Sequence, residues 1–332
     1  MSARLKSLRE TLAAHPRLVL VGQFAIGVVF VACIAWAVHG SFRAAGNDLR
    51  NANLGLFVLA CCLVAVYYLT FVFGWMRILA DWDIHLSYPV ALRAEMVSML
   101  AKYIPGGVWT PAARVVAARR AGVTDAALVT ASMLLEAAIS AVAGVMVFVI
   151  SLTWVNGERG PLVPLVAFAV VVAALVQPQL FRPIMARVLR RFGYTEELPP
   201  LRPVTMAFLL VFYSGTWVIG GGALWLLLRS VGAHPDVQSI VYLGGVAAVG
   251  AIVAVLVVIA PSGLGVREGT MYGLMLAIVP SGAALGATLL NRVAITVVEL
   301  LLLLVGGLIL RMRGGHEAEE QDEAMRLGDA KV

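Results

Sequence analysis

Seven ionisable side chains in this sequence of 332 residues lie within strongly apolar stretches. They are Lys102, Arg114, Glu136, Arg267, Glu268, Arg292 and Glu299. Each such group costs at least ~2.5 to 3.5 kcal/mol in hydrocarbon, so these side chains should face the protein interior and be either paired or functional. Cations held in this way can bind an anionic group such as a phosphate. Structural salt bridges are the alternative explanation, chiefly for Glu136 and Glu299.

Two proline- and glycine-bearing segments interrupt the apolar stretches next to several of these charges. The first reads Lys102-Tyr103-Ile104-Pro105-Gly106-Gly107-Val108-Trp109, and the second reads Pro261-Ser262-Gly263-Leu264-Gly265-Val266-Arg267-Glu268-Gly269. Proline removes a backbone donor and clashes with the preceding turn, so we expect each helix to break there. Broken backbone at membrane depth is tolerated only inside protein or beside a wet cavity. The breaks are therefore candidate binding sites, with a simple proline kink or surface loop as the alternative.

Arg267 and Glu268 lie where a helix should resume after the second break. A helix N-terminus presents free N–H groups and positive potential, which suits an anionic headgroup. Alternatively, Glu268 caps its own helix and Arg267 extends to the membrane interface. Arg292 and Glu299 are seven residues apart on one helical face, about 10 Å from each other along the axis, so each needs another partner. Charges at the two breaks are the expected partners.

The elements that carry these residues are those of an integral membrane protein. Hydrophobic residues make up 61% of the chain and charged residues 13%, about half the charged share of soluble proteins. Six apolar segments are long enough to span a bilayer: 18–40, 54–80, 126–154, 161–180, 204–229 and 284–310. The basic residues flank these segments, so we attribute the positive charge to membrane topology and expect no nucleic-acid partner.

The distribution of Lys and Arg predicts that both termini are cytoplasmic, since basic residues concentrate on the inner side of membrane proteins. The interrupted segments 90–120 and 239–280 then each begin and end on one side of the membrane. We predict an all-α fold of six full spans plus two re-entrant hairpins, with eight spans as the alternative. The hairpins would enter from opposite sides, which makes residues 54–154 and 204–311 an inverted repeat.

The sequence thus divides into three parts. Residues 1–17 form a basic cytoplasmic N-terminus, residues 18–311 form the transmembrane domain, and residues 312–332 form an acidic cytoplasmic tail that we predict to be disordered. Catalytic patterns such as His-Glu-x-x-His and Gly-x-Ser-x-Gly are absent from the sequence, and its three cysteines have no metal-ligand spacing. We therefore expect neither an enzyme nor a metal or cofactor site.

The two break sequences, followed by Asn291-Arg292 in the last span, resemble the lysylphosphatidylglycerol synthase transmembrane (flippase) domain family. The resemblance covers residues 18–311 and leaves no counterpart of the soluble synthase domain, as in stand-alone members. It implies translocation of an anionic, aminoacylated or glycosylated lipid between the leaflets of the bacterial plasma membrane. It also implies substrate contacts at Lys102, Pro105, Gly106, Trp109, Pro261, Gly263, Gly265, Arg267, Glu268 and Arg292. To these we add Tyr103, at the first break, and the charged residues Arg114, Glu136 and Glu299 as candidate contacts.

Two other functions stay open at this stage. The protein could be a non-transporting accessory or scaffold protein for envelope-lipid synthesis, or an ion-coupled carrier of a soluble metabolite. A membrane lipid with an anionic headgroup is the expected partner. A second copy of the chain and enzymes of envelope-lipid or glycolipid synthesis are further partner hypotheses.

Overall fold

The computed structural model describes residues 51–101, 109–123, 125–155, 199–256 and 265–329. The predicted spans 18–40 and 161–180 and the basic N-terminus lie outside these residues, as do 102–108 and 257–264 at the two breaks. Within the described ranges the chain forms helices joined by short turns and contains no strand. The all-α expectation is therefore confirmed for this part of the chain.

Four described helices are long and apolar enough to cross a membrane, and they match four of the predicted spans. We name them by chain order as α1, Leu54–Asp81; α4, Ala126–Val155; α5, Pro203–Ser230; and α8, Ser281–Asp329. In α8 the apolar part is Ser281–Val305. Local signals set where these helices begin: the Asn53 side chain accepts from Leu56 N at 3.1 Å, and that of Asp125 accepts from Ala127 N and Leu128 N. Such side-chain acceptors satisfy the free N–H groups of a first helical turn.

Four shorter helices flank the two breaks. They are α2, Tyr88–Ala101; α3, Trp109–Arg120; α6, Ser239–Leu256; and α7, Val266–Met275. At 1.5 Å per residue, α2, α3 and α7 reach roughly 21, 18 and 15 Å, well short of the ~30 Å hydrocarbon thickness, whereas α6 reaches roughly 27 Å. The two helices on either side of each break pack against each other: α2 against α3, and α6 against α7. Each interrupted segment is thus a pair of helices in contact.

The α1–α5 pair forms the centre of the fold, and its helices run antiparallel. At one end Asn53 N donates to Ser230 O at 2.8 Å, joining the start of α1 to the end of α5. At the other end the Asp81 carboxylate accepts from Thr205 Oγ1 at 2.9 Å and from Arg202 N at 2.7 Å. These contacts fix both ends of the pair, so the two helices are aligned along their whole length.

The same sequence pattern occurs where α1 and α5 cross. Residues 67–74 and 213–220 both read Tyr-x-x-Thr-[Phe/Trp]-Val-x-Gly. The last glycine of each copy lies against the first tyrosine of the other: a Cβ added to Gly74 would lie 2.1 Å from the Tyr213 hydroxyl, and one added to Gly220 would lie 4.0 Å from the Tyr67 ring. Glycine is required at position 74 because any side chain there would overlap a buried tyrosine.

The pairs of helices that contact each other correspond between the two halves, although α6 contacts α4 more extensively than α2 contacts α8. When α1, α2, α3 and α4 are replaced by α5, α6, α7 and α8, each substantial contact between described helices maps onto another such contact. For example, α2 packs on α8 as α6 packs on α4, and α3 packs on α4 as α7 packs on α8. The α1–α5 contact maps onto itself. Each half thus has helices in the order long, short, short, long, and corresponding helices contact corresponding neighbours.

The structure differs from expectation at the C-terminal end. Helix α8 continues to Asp329, through most of the acidic segment for which the sequence predicted disorder. The physical reason is local, because this segment is rich in Ala, Glu, Met and Arg, which are among the best helix formers. The composition of this segment is compatible with a solvated helix as well as with a disordered tail.

Candidate functional site

The structure describes about half of the residues predicted to contact substrate. Lys102, Tyr103, Pro105, Gly106, Pro261 and Gly263 lie outside the described residues, and of Trp109 only the backbone, as the first residue of α3, is described. Most of the remaining predicted residues fall into two groups, and Arg267 and Glu299 belong to neither. We define the two groups as the Arg114 cluster, centred on α3 and α4, and the Arg292 cluster, centred on α7 and α8.

In the Arg114 cluster one guanidinium serves two carboxylates from different helices. Arg114 on α3 forms ion pairs with Glu95 on α2 and with Glu136 on α4, the latter at 2.7 Å. Its Nε also donates to Ser98 Oγ at 3.3 Å, and Tyr213 on α5 donates to Glu136 at 3.1 Å. A single side chain therefore links the first helix pair to the long helices on which it packs.

Aromatic packing holds this arginine in place. The Arg114 guanidinium lies 4.7 Å from the ring centroid of Trp75, and the Trp75 indole N–H donates to Ser132 Oγ at 2.9 Å. Trp75 is completely buried, so the cation rests on a fixed apolar wall where its attraction to the ring is strengthened by the absence of water. Glu95, Glu136 and Trp75 thus together fix the position of the Arg114 guanidinium.

The charge balance of the Arg114 cluster is unequal. Arg114, Glu95 and Glu136 are each 3 to 4% exposed, and two carboxylates share one guanidinium. Removing charges from water costs several kcal/mol per ion, which is repaid only by close pairing and additional hydrogen bonds. The cluster meets that condition only while Arg114 stays between its two acids. One cation, Arg114, therefore holds α2, α3 and α4 together in this cluster.

The Arg292 cluster has the opposite polarity and is more open. Arg292 on α8 pairs with Glu268 on α7 at 3.3 Å, with side chains 22% and 18% exposed. The other carboxylate oxygen of Glu268 accepts from Gly265 N at 2.8 Å, which caps α7. Here the cation is on the long helix and the acid on the short one, the reverse of Arg114 and Glu136. Glu268 thus both caps its helix and pairs with Arg292, and the expected partner of Arg292 at a break is found.

Glu299 is bound by a tyrosine of the central helix pair. Tyr68 on α1 donates to its carboxylate at 2.5 Å, and Glu299 is 4% exposed. This contact is the counterpart of the bond from Tyr213 to Glu136, since each joins a tyrosine of the central pair to an acid on the last helix of the other half. A tyrosine hydroxyl supplies the compensation that a buried carboxylate requires.

Arg267, the neighbour of Glu268 on α7, has part of its hydrogen-bonding capacity unused among the described residues. Its Nε is buried and has no hydrogen-bond partner among the described residues. Arg267 interacts electrostatically with the hydroxyls of Tyr67 and Tyr68, and Glu95 and Glu136 act on Tyr67 as well. Tyr67 is partly buried, and its hydroxyl takes part in no hydrogen bond within the described ranges. A buried unsatisfied donor is rare in proteins and can mark a place where another group binds.

Sequence reasoning missed four contributors to these groups: Glu95, Tyr67, Tyr68 and Tyr213. Glu95 lies in the interrupted stretch 90–120 and could have been found by the same search for acids at membrane depth. The tyrosines belong to the repeated pattern at 67–74 and 213–220, which a comparison of the two halves would have shown. Tyr68 bonds Glu299 and Tyr213 bonds Glu136, in each case more than seventy residues away, and no local sequence signal predicts these hydrogen bonds.

Comparison with known proteins identifies the family to which these features belong. No curated protein matches the chain. The family described as the lysylphosphatidylglycerol synthase TM region matches residues 21–303, a stretch that contains both breaks, the central tyrosines and the two charged clusters. Because this match covers most of the chain, the resemblance noted from the break sequences is confirmed. The chain, a multi-pass helical membrane protein, belongs to the lysylphosphatidylglycerol synthase TM region family.

Proposed function

We propose that this protein moves an anionic lipid between the leaflets of the bacterial plasma membrane and catalyses no covalent reaction. Membership of a family named for a lipid-synthesising protein supports a role with membrane lipids. The matched region is the membrane part of that synthase, which supports a non-enzymatic function. The lipid would present its headgroup to the charged site while its acyl chains stay in the bilayer.

The symmetry of the fold supports a transport mechanism. Helices α1 and α5 are antiparallel and their contact maps onto itself when the two halves are exchanged, which supports a relating two-fold axis in the membrane plane. Many secondary transporters consist of such inverted repeats, with broken helices meeting near the midplane and alternating access by rocking of one repeat against the other. In our proposal the halves are residues 54–154 and 204–311, with six full spans, both termini cytoplasmic and re-entrant hairpins α2–α3 and α6–α7.

The observation that carries the proposal is the environment of Arg267. Its Nε and the Tyr67 hydroxyl have no hydrogen-bond partner among the described residues, and Tyr67, which is close enough to interact with Arg267, lies at the α1–α5 crossing beside Trp217. A phosphate accepts hydrogen bonds from both kinds of donor and pairs strongly with a guanidinium. Bound there, a headgroup would satisfy Arg267 at the place where the two halves meet. Lys102 and Trp109 at the first break and Pro261 and Gly263 at the second are further proposed contacts.

The two clusters have a separate role in this mechanism. Each joins a short helix to the last long helix of its own half, Arg114 to Glu136 and Glu268 to Arg292. The hairpin of each half would therefore move with its long helix as a unit. Relative motion of the two units would then require the α1–α5 contacts to rearrange, including the close approach of Gly74 to Tyr213.

The test is leaflet exchange of fluorescent phosphatidylglycerol and phosphatidylcholine in liposomes that contain the purified protein. We expect the wild type to accelerate exchange of the anionic lipid and Arg267→Gln to abolish the acceleration. Arg229→Gln is the matched control, because Arg229 is exposed and stacks on Trp225 at 4.8 Å, away from the site. Exchange by Arg267→Gln at the wild-type rate would refute the site, and an inactive but folded wild type would favour an accessory or scaffold function.

A further inference from the structure

A groove on the outer face of the first helix pair combines an apolar floor with two arginines at one end. It lies between α2 and α3, away from the Arg114 cluster, and its volume is about 490 Å³. Val90, Arg93 and Val97 line one wall, while Ala113, Val116 and Arg120 line the other. The volume lies within the ~300 to 1,000 Å³ range of sites that hold small ligands.

The two helices of this pair divide their residues between two faces. Glu95 and Ser98 on α2 point inward to Arg114 on α3. Arg93 and Val97 on α2 lie on the opposite side, where both are exposed, and Val97 is 38% exposed. On α3 Val116 is 52% exposed and faces the same groove. In a membrane-embedded hairpin, valines exposed in this way would contact hydrocarbon chains.

The arginines lie at the open end of the hairpin. The two helices are joined after Ala101 and pack side by side, so Arg93 near the start of α2 and Arg120 at the end of α3 lie at the same end. From Arg93 to Ala101 the groove extends along α2 for roughly 12 Å, close to the ~15 Å depth of one leaflet. An acyl chain in the groove would therefore place its headgroup beside the two guanidinium groups.

Among the described residues, neither Arg93 nor Arg120 has an acidic partner. Two unpaired cations at one groove mouth repel each other unless an anion lies between them. A guanidinium binds phosphate oxygens in a bidentate manner, which makes a phosphodiester a suitable anion.

We infer that the α2–α3 groove binds an anionic glycerophospholipid, with an acyl chain along Val97 and Val116 and the phosphate between Arg93 and Arg120. This site is separate from the Arg267 site and does not depend on translocation. The bound lipid belongs to the leaflet at the open end of the hairpin. It would cover the exposed side of α2 and α3, whose other side holds the Arg114 cluster.

Native mass spectrometry of the purified protein, titrated with phosphatidylglycerol or phosphatidylcholine in neutral detergent, tests this inference. We expect the first bound phosphatidylglycerol to bind more tightly than phosphatidylcholine. Each Arg/Lys contributes about fivefold to the affinity for anionic lipid, so Arg93→Gln combined with Arg120→Gln should weaken phosphatidylglycerol binding roughly 25-fold. Arg93 and Arg120 are both exposed, so the single and double variants should fold.

Arg119→Gln is the matched control, since Arg119 is the exposed neighbour of Arg120 on α3 and does not line the groove. It should leave the affinity for phosphatidylglycerol within about twofold, whereas Arg120→Gln should lower that affinity about fivefold.

Val116→Trp keeps both charges but fills the apolar part of the groove, and it should weaken binding of both lipids. Equal losses in Arg119→Gln and Arg120→Gln would show diffuse surface charge instead of a site. Unchanged binding in Val116→Trp, or equal affinity for both lipids in the wild type, would also overturn the inference. Because the readout is binding, a failure here leaves the exchange assay of Arg267 unaffected.

Discussion

Replacing Arg114 with glutamine tests whether one cation holds the first helix pair to the rest of the fold. The substitution removes the charge but retains an amide of similar reach. Glu95 and Glu136, each 3 to 4% exposed, would then be two buried carboxylates without a cation between them. Tyr213 would still donate to Glu136 at 3.1 Å, but Glu95 would lose its ion pair.

The size of the effect follows from burial. Breaking a buried ion pair by removing one partner costs about 3 to 5 kcal/mol, because the remaining charge stays out of water. The matched substitution Arg292→Gln breaks a pair whose side chains are 22% and 18% exposed, so water can solvate Glu268 and the cost should be near ~1 kcal/mol. The two variants should therefore differ by about 2 to 4 kcal/mol in the free energy of unfolding.

Unfolding in mixed micelles by titration with sodium dodecyl sulfate, followed by far-ultraviolet circular dichroism, measures this difference. A rescue variant makes the test specific: Glu95→Gln and Glu136→Gln added to Arg114→Gln should recover most of the lost stability, because no charge then remains in the cluster. A loss in Arg114→Gln no larger than that in Arg292→Gln would refute the reasoning. So would a triple variant that is no more stable than Arg114→Gln alone.

Three further predictions concern the central helix pair and the topology. Gly74→Ala should destabilise the protein by about 1 to 3 kcal/mol because its methyl group would overlap the Tyr213 hydroxyl, whereas Gly215→Ala, with open space around it, should be neutral or stabilising in the same unfolding titration. Tyr213→Phe should cost about 1.5 to 3 kcal/mol through loss of its bond to a buried carboxylate, and an unchanged unfolding midpoint would contradict that bond. In a cysteine-free background, the exposed positions Ser87 and Ser281, each replaced by cysteine, should react with impermeant maleimide from the cytoplasmic and the external side respectively. Labelling of both from one side would contradict the inverted topology.

The charged residues show how far local reasoning reaches. The cost of charge in hydrocarbon was enough to select Arg114, Glu136, Arg292 and Glu299 from the sequence as residues that need partners. It also placed a partner of Arg292 at a break, which the structure gives as Glu268. The same rule selected Glu136 but did not pair it with Arg114, and it missed Glu95 and Tyr68. These pairings depend on how the helices pack.

The inverted repeat follows from the predicted topology and stays a prediction, with which the corresponding helix contacts of the two halves agree. The pattern shared by residues 67–74 and 213–220 is visible in the sequence, but its meaning depends on the crossing of α1 and α5. Only there does Gly74 of one copy meet Tyr213 of the other. A close approach of this kind joins residues 139 positions apart, too far for any local rule to connect them.

Composition and helical periodicity by themselves determined that this chain is a helical membrane protein with two interrupted segments, because the bilayer imposes length and hydrogen-bonding rules that depend on local sequence. The break sequences also identified its family. Tertiary structure alone decided that Glu95 and Glu136 share one arginine, that Tyr68 bonds Glu299, and that Nε of Arg267 is left without a partner among the described residues. Pairings between helices are selected by packing and by the desolvation of buried charges, and these act only once the helices have met.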